Sequence, residues 1–326
     1  MVTKLRLYIP TFVNEIKSIF AATKLRFIVQ FLAYILVYPF LWLISILPFP
    51  ILYFFSDLLY FIVYGLIGYR KKVVKSNLKL VFPEKSEAEI KSIMKGFYHH
   101  LCDMILETIK SMTISKNEMR KRMRFENIEV MQTIAEEGQS IALMCGHYGS
   151  WEWLMIMQEH FTNHKGYVIY KRLANPYFDR LVKRIRAKYD SYLITTKEAV
   201  PTISQAKTKG EHIIGGFAAD QSPKANKAYH WNSFMGINVP MYTGAEMLSK
   251  KFNLAVVFCG VKKIKRGYYS THFQLITNEP STFPNYQITD KFMELVENQI
   301  KEDPQYYLWT HKRWKHKDRI PTKMTK

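Results

Sequence analysis

The sequence predicts an α/β fold, a mixed and mostly parallel sheet flanked by helices, behind an amino-terminal helical segment of membrane character. Three observations predict it. From about Phe125 onward, short apolar runs alternate with longer amphipathic stretches, the pattern of strands covered by helices. From Phe27 to Ser56 the chain carries no charge. Between these regions, one long segment has helical periodicity.

The uncharged run exceeds the roughly 20 apolar residues that cross a hydrocarbon core. Pro39, Pro48 and Pro50 predict one spanning helix followed by an interfacial or re-entrant piece ending near Tyr69. The run starts too late and is too long for a cleaved signal peptide. Lys17, Lys24 and Arg26 precede it, and the denser cluster Arg70, Lys71, Lys72 and Lys75 follows. With basic residues on both flanks the positive-inside rule gives no clear orientation, and the denser cluster after the run is the ground for expecting the bulk of the chain in the cytoplasm. Residues 1–84 are thus expected to anchor the protein, and residues 85–326 to form the α/β domain. The alternative for the apolar run is a buried core helix.

From Lys85 to Met112, Ile90, Ile93, Met94, Phe97, Leu101, Ile105 and Ile109 recur at helical spacing. Ser86 with Glu89 forms a capping-box pattern. Ser140–Cys145, Tyr167–Tyr170, Tyr192–Thr196, His212–Ala219 and Leu254–Val261 read as strands. Gly267–Ile276 alternates as an edge or antiparallel strand does. Trp151–His160, Pro176–Tyr189 and Thr289–Glu302 read as helices, with Pro176 at a permitted first-turn position.

The formal net charge is +20, which favours a polyanionic partner: nucleic acid, an anionic membrane surface or a phosphorylated substrate. No helix-turn-helix, zinc-finger or RNA-binding signature accompanies the charge, so a nucleic-acid partner is not expected. Cys102, Cys145 and Cys259 are far apart and odd in number, which argues against a disulfide framework or structural zinc and fits a reducing compartment. His99-His100 and the His311/His316 pair lack metal-ligand patterns, and no Walker or Rossmann glycine motif occurs.

In parallel α/β sheets, ligands gather beyond the carboxyl ends of the strands. Directly after Ser140–Cys145 comes Gly146-His147-Tyr148-Gly149-Ser150-Trp151-Glu152. Imidazole has the pKa of a general base near neutral pH. A carboxylate on its second nitrogen fixes the tautomer, and Glu152 reaches it if the turn folds back. The alternative is a capping His with a first-turn Glu that complements the helix dipole. Ser150 is not the serine of a GxSxG nucleophile elbow.

The His147/Glu152 spacing resembles the glycerolipid acyltransferase superfamily, and GHYGSWE is similar to the late acyltransferases of lipid A biosynthesis. Further ordered blocks carry the resemblance. They are Asn77-Leu78 with Phe82-Pro83, Tyr170 to Pro176 with Asp179 beyond, Ala219-Asp220-Gln221-Ser222-Pro223, Phe234-Met235-Gly236 with Gly244, and Pro304 to Lys315. Ser150, Met235 and Lys312 depart from the family's usual Asn, Phe and Arg.

The resemblance implies a glycerolipid-acyltransferase-like fold and a membrane-bound O-acyltransferase of the inner membrane, its catalytic domain on the cytoplasmic face. It implies acyl carrier protein as donor partner and a lipid A precursor as acceptor, with no metal and no cofactor. An acyloxyacyl aminolipid of the ornithine or glycine type, or another lysolipid, is the alternative product class. His147 and Glu152 are the implied catalytic pair. Arg172, Asn175, Asp179, Arg184, Asp220, Gln221, His311 and Arg313 are the implied substrate-binding residues. Arg172 suits a phosphate by its forked geometry, or is a solvated strand-end cation. Arg184 belongs to a basic helix facing acidic headgroups, the carrier protein or water. Asp220 and Gln221 end a strand on the side of His147 if the strands are parallel. His311 and Arg313, among Trp309 and Trp314, form an interfacial belt or pin the tail to the domain.

Overall fold

The computed structural model describes residues 25–319; Lys17 and Lys24 of the leading basic flank lie outside them. Helix α1, Leu25–Ile46, is followed by α2, Phe49–Tyr60, which continues through a π-helical stretch, Phe61–Ile67. Each apolar stretch, Leu25–Ile46 and Phe49–Ile67, is long and apolar enough to cross a membrane. The break falls at Leu47-Pro48, and Pro50 sits in the first turn of α2, where its missing N–H costs nothing. Pro39 is accommodated within α1.

Helix α3, Lys71–Val81, precedes α4, Glu87–Lys110. The Ser86/Glu89 capping box expected from the sequence is present, a cap worth about 1 kcal/mol. Then come α5, Lys116–Arg122; β1, Met123–Phe125; α6, Glu129–Glu136; and β2, Ile141–Cys145. The helix expected at Trp151–His160 is present and is a 3₁₀ helix. Next are β3, His164–Tyr170; α7, Pro176–Ala187; β4, Ser191–Thr195; α8, Thr196–Thr208; and β5, His212–Ala218. A hairpin follows, β6, His230–Phe234, and β7, Ile237–Met241, then α9, Gly244–Phe252. The last elements are β8, Ala255–Lys265; β9, Tyr268–Thr277; and α10, Gln287–Glu302.

Seven strands form one sheet in the order β1-β9-β8-β2-β5-β3-β4. The five strands from β8 to β4 run parallel, and β9 returns antiparallel to β8. The antiparallel strand is as expected, but it is not the edge: β1 pairs beyond it. Alternate residues of the central strands feed two apolar layers, as the strand period of two requires. Ala142, Met144, Val256 and Phe258 join the layer under α4 and α10, whereas Ile141, Leu143, Val257 and Cys259 join that under the 3₁₀ helix.

The amino-terminal segment is built into this core. Val74, Leu78 and Val81 of α3 lie in the same cluster as Phe97, Trp309 and Trp314, and Asn77 Nδ2 donates to the carbonyls of Trp309 and His311 at 2.9 Å each. The boundary expected at residue 84 therefore falls inside one packed unit.

Candidate active site

Strands β2 and β5 are parallel neighbours with Cys145 opposite Ala218. His147 and Asp220 each lie two residues past that pair, so both loops leave the same edge of the sheet side by side. His147 Nδ1 lies 2.6 Å from Asp220 Oδ1. A fifth of the His147 side chain is exposed, and Asp220 is completely enclosed. Nδ1–H donates to the carboxylate. Nε2 has no hydrogen-bond partner among the described residues, which leaves its lone pair free to accept a proton.

The electrostatics follow from this contact. Burial works against the His147 imidazolium, but the charge of Asp220 and its hydrogen bond, with Glu152 nearby, outweigh burial and raise its pKa above the ordinary value. Burial likewise opposes the Asp220 carboxylate, and His147 overrides it to hold the acid below its ordinary range. The carboxylate therefore stays ionised and keeps the imidazole in one orientation.

The turn that carries His147 is held from three sides. Gly149 adopts a φ of 57°, and a Cβ there would lie 2.8 Å from Val261 Cγ1, so both conformation and space call for glycine. His100 Nε2–H donates to the Gly149 carbonyl at 3.3 Å. The carboxyl-terminal segment bridges the turn, Leu308 N–H to the His147 carbonyl at 3.1 Å and Gly149 N–H to the Tyr306 carbonyl at 3.0 Å.

Glu152 does not hold the imidazole; this corrects the expected pairing. Its Oε1 accepts from Trp151 Nε1 at 3.1 Å, and its Oε2 pairs with Arg186 Nη2 of α7. The first turn of the 3₁₀ helix aims Glu152 at α7, while the β2/β5 register delivers Asp220 to His147. Trp151 packs edge-on against the His147 ring, centroids 5.3 Å apart.

Other expected binding residues separate into two groups. Asn175 caps α7, accepting from Tyr177 N–H at 2.9 Å, and donates to the Gln30 carbonyl of α1 at 3.0 Å. Asp179 is buried and accepts from Leu173 N–H at 2.9 Å and from Tyr170 Oη at 3.0 Å. Arg313 is fully buried, with Nη2 3.0 Å from Met241 Sδ and the guanidinium over the Phe234 ring. Asn175 and Asp179 thus spend their side-chain polar atoms on the chain itself, and Arg313 is enclosed with its Nε unpartnered among the described residues; the geometry turns all three inward, away from the exposed positions expected of binding residues. His311 accepts from Ser222 N–H at 3.3 Å, and burial pushes its pKa down to about 4, so it fixes the loop after Asp220 as a neutral ring. Arg172 is exposed and loosely paired with Glu198 at 3.6 Å. Arg184 is exposed and Gln221 half-buried; among the described residues neither has a side-chain partner. Arg186 and Tyr307, buried beside Asp220, are site residues that motif spacing does not single out.

A cleft lined by Gln139, Ser140, His212 and Asn253 lies at the amino-terminal ends of β2, β5 and β8, the opposite end of the sheet from His147.

Comparison with known proteins shows the family. The family described as bacterial lipid A biosynthesis acyltransferase matches residues 20–316. The lipid A biosynthesis palmitoleoyltransferase of Escherichia coli K12 is 23% identical over 84% of this chain and 88% of its own length. The lipid A biosynthesis lauroyltransferase of the same organism is 23% identical over 84% of this chain and 89% of its own length. A lipid A biosynthesis acyltransferase of Shigella flexneri is similar to the same extent as the first. The match spans the apolar helices, the His147 turn, the Asp220 loop and most of the carboxyl-terminal segment, and the chain is an acyltransferase of the bacterial lipid A biosynthesis acyltransferase family.

Proposed function

We propose that the protein transfers a fatty acyl chain from the thioester of acyl carrier protein to a hydroxyl of a lipid A precursor, at the cytoplasmic face of the inner membrane. The observation that carries the proposal is the His147–Asp220 pair, with the imidazole's second nitrogen open. The family and the relatives' acceptor support lipid A as the acceptor. The exposed apolar surfaces of α1 and α2 support attachment to a membrane.

The steps balance without an enzyme-bound intermediate. His147 Nε2 takes the proton of the acceptor hydroxyl as its oxygen attacks the thioester carbonyl. The resulting imidazolium is stabilised by Asp220. When the tetrahedral centre collapses, the carbon–sulfur bond breaks and the imidazolium returns its proton to the departing thiolate. The products are an ester and the free thiol of the carrier. No metal or bound cofactor enters these steps. Glu152 contributes as a second anion near the imidazole and as the partner of Arg186.

Mass spectrometry of lipids from a strain lacking the gene tests the reading. Lipid A lighter by one fatty acyl group, restored by the wild-type chain and not by a His147→Ala variant, is the expected result. Unchanged lipid A with loss of an acyloxyacyl aminolipid would overturn the choice of acceptor.

A further inference from the structure

We propose that α1 and α2 do not cross the bilayer but lie lengthwise in one leaflet, as a paddle fixed to the catalytic domain. The inference rests on the membrane attachment proposed above and concerns its geometry.

Helix α1 is tied to the domain near both ends. Toward its start, Gln30 Nε2 donates to the Ala174 carbonyl and Asn175 Nδ2 to the Gln30 carbonyl, each at 3.0 Å. The Phe31 and Tyr34 rings lie 5.2 and 5.8 Å from that of Tyr177. At its end, Lys110 Nζ donates to the carbonyls of Ser45 and Leu47 at 2.7 Å each, and Thr113 Oγ1 donates to that of Ser45.

Between Gln30 and Ser45 an α-helix runs roughly 22 Å; between Asn175 and Lys188, along α7, roughly 20 Å. Lys188 donates to the Ile114 carbonyl, one residue past Thr113. Two rods of similar length are thus pinned at the same two places, so α1 lies along α7. Helix α2 lies antiparallel along α4 in the same way. Tyr53 reaches Glu107 and Ser56 reaches Asp103, both at 2.8 Å, and Tyr60 stacks on His99.

The faces agree with this arrangement. On α1, Gln30, Tyr34, Tyr38, Leu41, Ile44 and Ser45 are the sheltered positions; at about 100° per residue they form one stripe. Leu25, Leu32, Leu36 and Leu43 form the opposite stripe, and all are exposed. Were α1 to cross the bilayer, α7 with Arg180, Lys183 and Arg184 would enter the hydrocarbon with it, a costly place for cations. Laid flat, α1 and α2 present their apolar residues to acyl chains. The basic residues of α7 and of the α2 exit, Arg70 and Lys72, then meet anionic headgroups, as in-plane amphipathic anchors do. Donor and acceptor then reach His147 from one leaflet.

Spin labels on the full chain test this. Variants Leu25→Cys, Leu36→Cys and Leu43→Cys place nitroxides on the outward stripe; native Cys102 and Cys259 are buried and Cys145 half-buried. The protein is floated with vesicles of phosphatidylethanolamine and phosphatidylglycerol, and label depth is read by oxygen and nickel relaxation. The inference expects flotation and three labels at the same shallow depth, within a few ångströms. A crossing helix would put Leu36 about 16 Å deeper than Leu25 along its axis; that profile overturns the inference and leaves membrane attachment intact. Failure to float, with the labels in water or shielded by a second copy, overturns both.

Discussion

His147 Nδ1 and Asp220 Oδ1 meet at 2.6 Å across 73 residues of chain, because β2 and β5 are parallel neighbours in a register that ends both strands level. Glu152, five residues from His147 in sequence, turns instead to Arg186. The acid that meets the imidazole is the one the sheet delivers.

This pair fixes the pH dependence. The base must be neutral to accept a proton, and although burial favours the neutral ring, Asp220 raises its pKa above the ordinary histidine value. Activity at subsaturating substrate therefore rises with pH through that raised pKa, giving an acid limb above the ordinary range. In Asp220→Asn the raising charge is gone, and the limb moves to lower pH. A pH–rate profile of the two proteins checks the direction.

Glu152 and Arg186 act as one unit, tying the catalytic turn to α7. Glu152→Gln and Arg186→Gln are each expected to lower kcat/KM, and the double variant to lose no more than the worse single one. A coupling of roughly 0.5–3 kcal/mol is usual for side chains in direct contact. Full additivity in a double-mutant cycle would show that Glu152 serves the site by another route.

Gly149→Ala forces a left-handed conformation on a residue with a Cβ and drives that carbon into Val261. The conformational part alone costs about 1–2 kcal/mol. Lower thermal stability and a larger loss of activity are expected, since the His100 and Tyr306 contacts hold this same residue. Thermal melts beside transfer assays measure both.

Glu107, buried in α4 beneath Tyr53 and Tyr269, has its pKa pushed up to about 7, first by burial and then by Asp103. The folded state therefore holds a proton that the unfolded chain releases near 4.5. Its contribution is full below that value and is lost as pH rises through about 7, on the order of 3 kcal/mol. Glu107→Gln is expected to flatten the fall in stability across this window, as followed by denaturant melts at several pH values.

Much of this was legible because it was local. The Ser86/Glu89 box, the α4 periodicity, the strand ending at Cys145 and the helix opening at Pro176 rest on neighbouring residues. The break near Pro48 follows from proline's missing donor. The dyad was not legible, because sheet order and register are tertiary facts: Asp220 read as a strand-end residue and Glu152 as the nearest acid. Asn175 and Asp179 stood within a recognisable block, but capping α7 and closing the loop before it consumes them. The β6–β7 hairpin was hidden because its turn places Met235, not glycine alone, at positive φ.

The most direct test is the turnover of purified Asp220→Asn, whose amide keeps the shape of the acid but neither its charge nor its single hydrogen-bonding sense. If Asp220 orients and stabilises the His147 base, kcat should fall roughly 10²–10⁴-fold with the fold retained. A variant turning over at the wild-type rate, with its pH limb unmoved, would contradict the account.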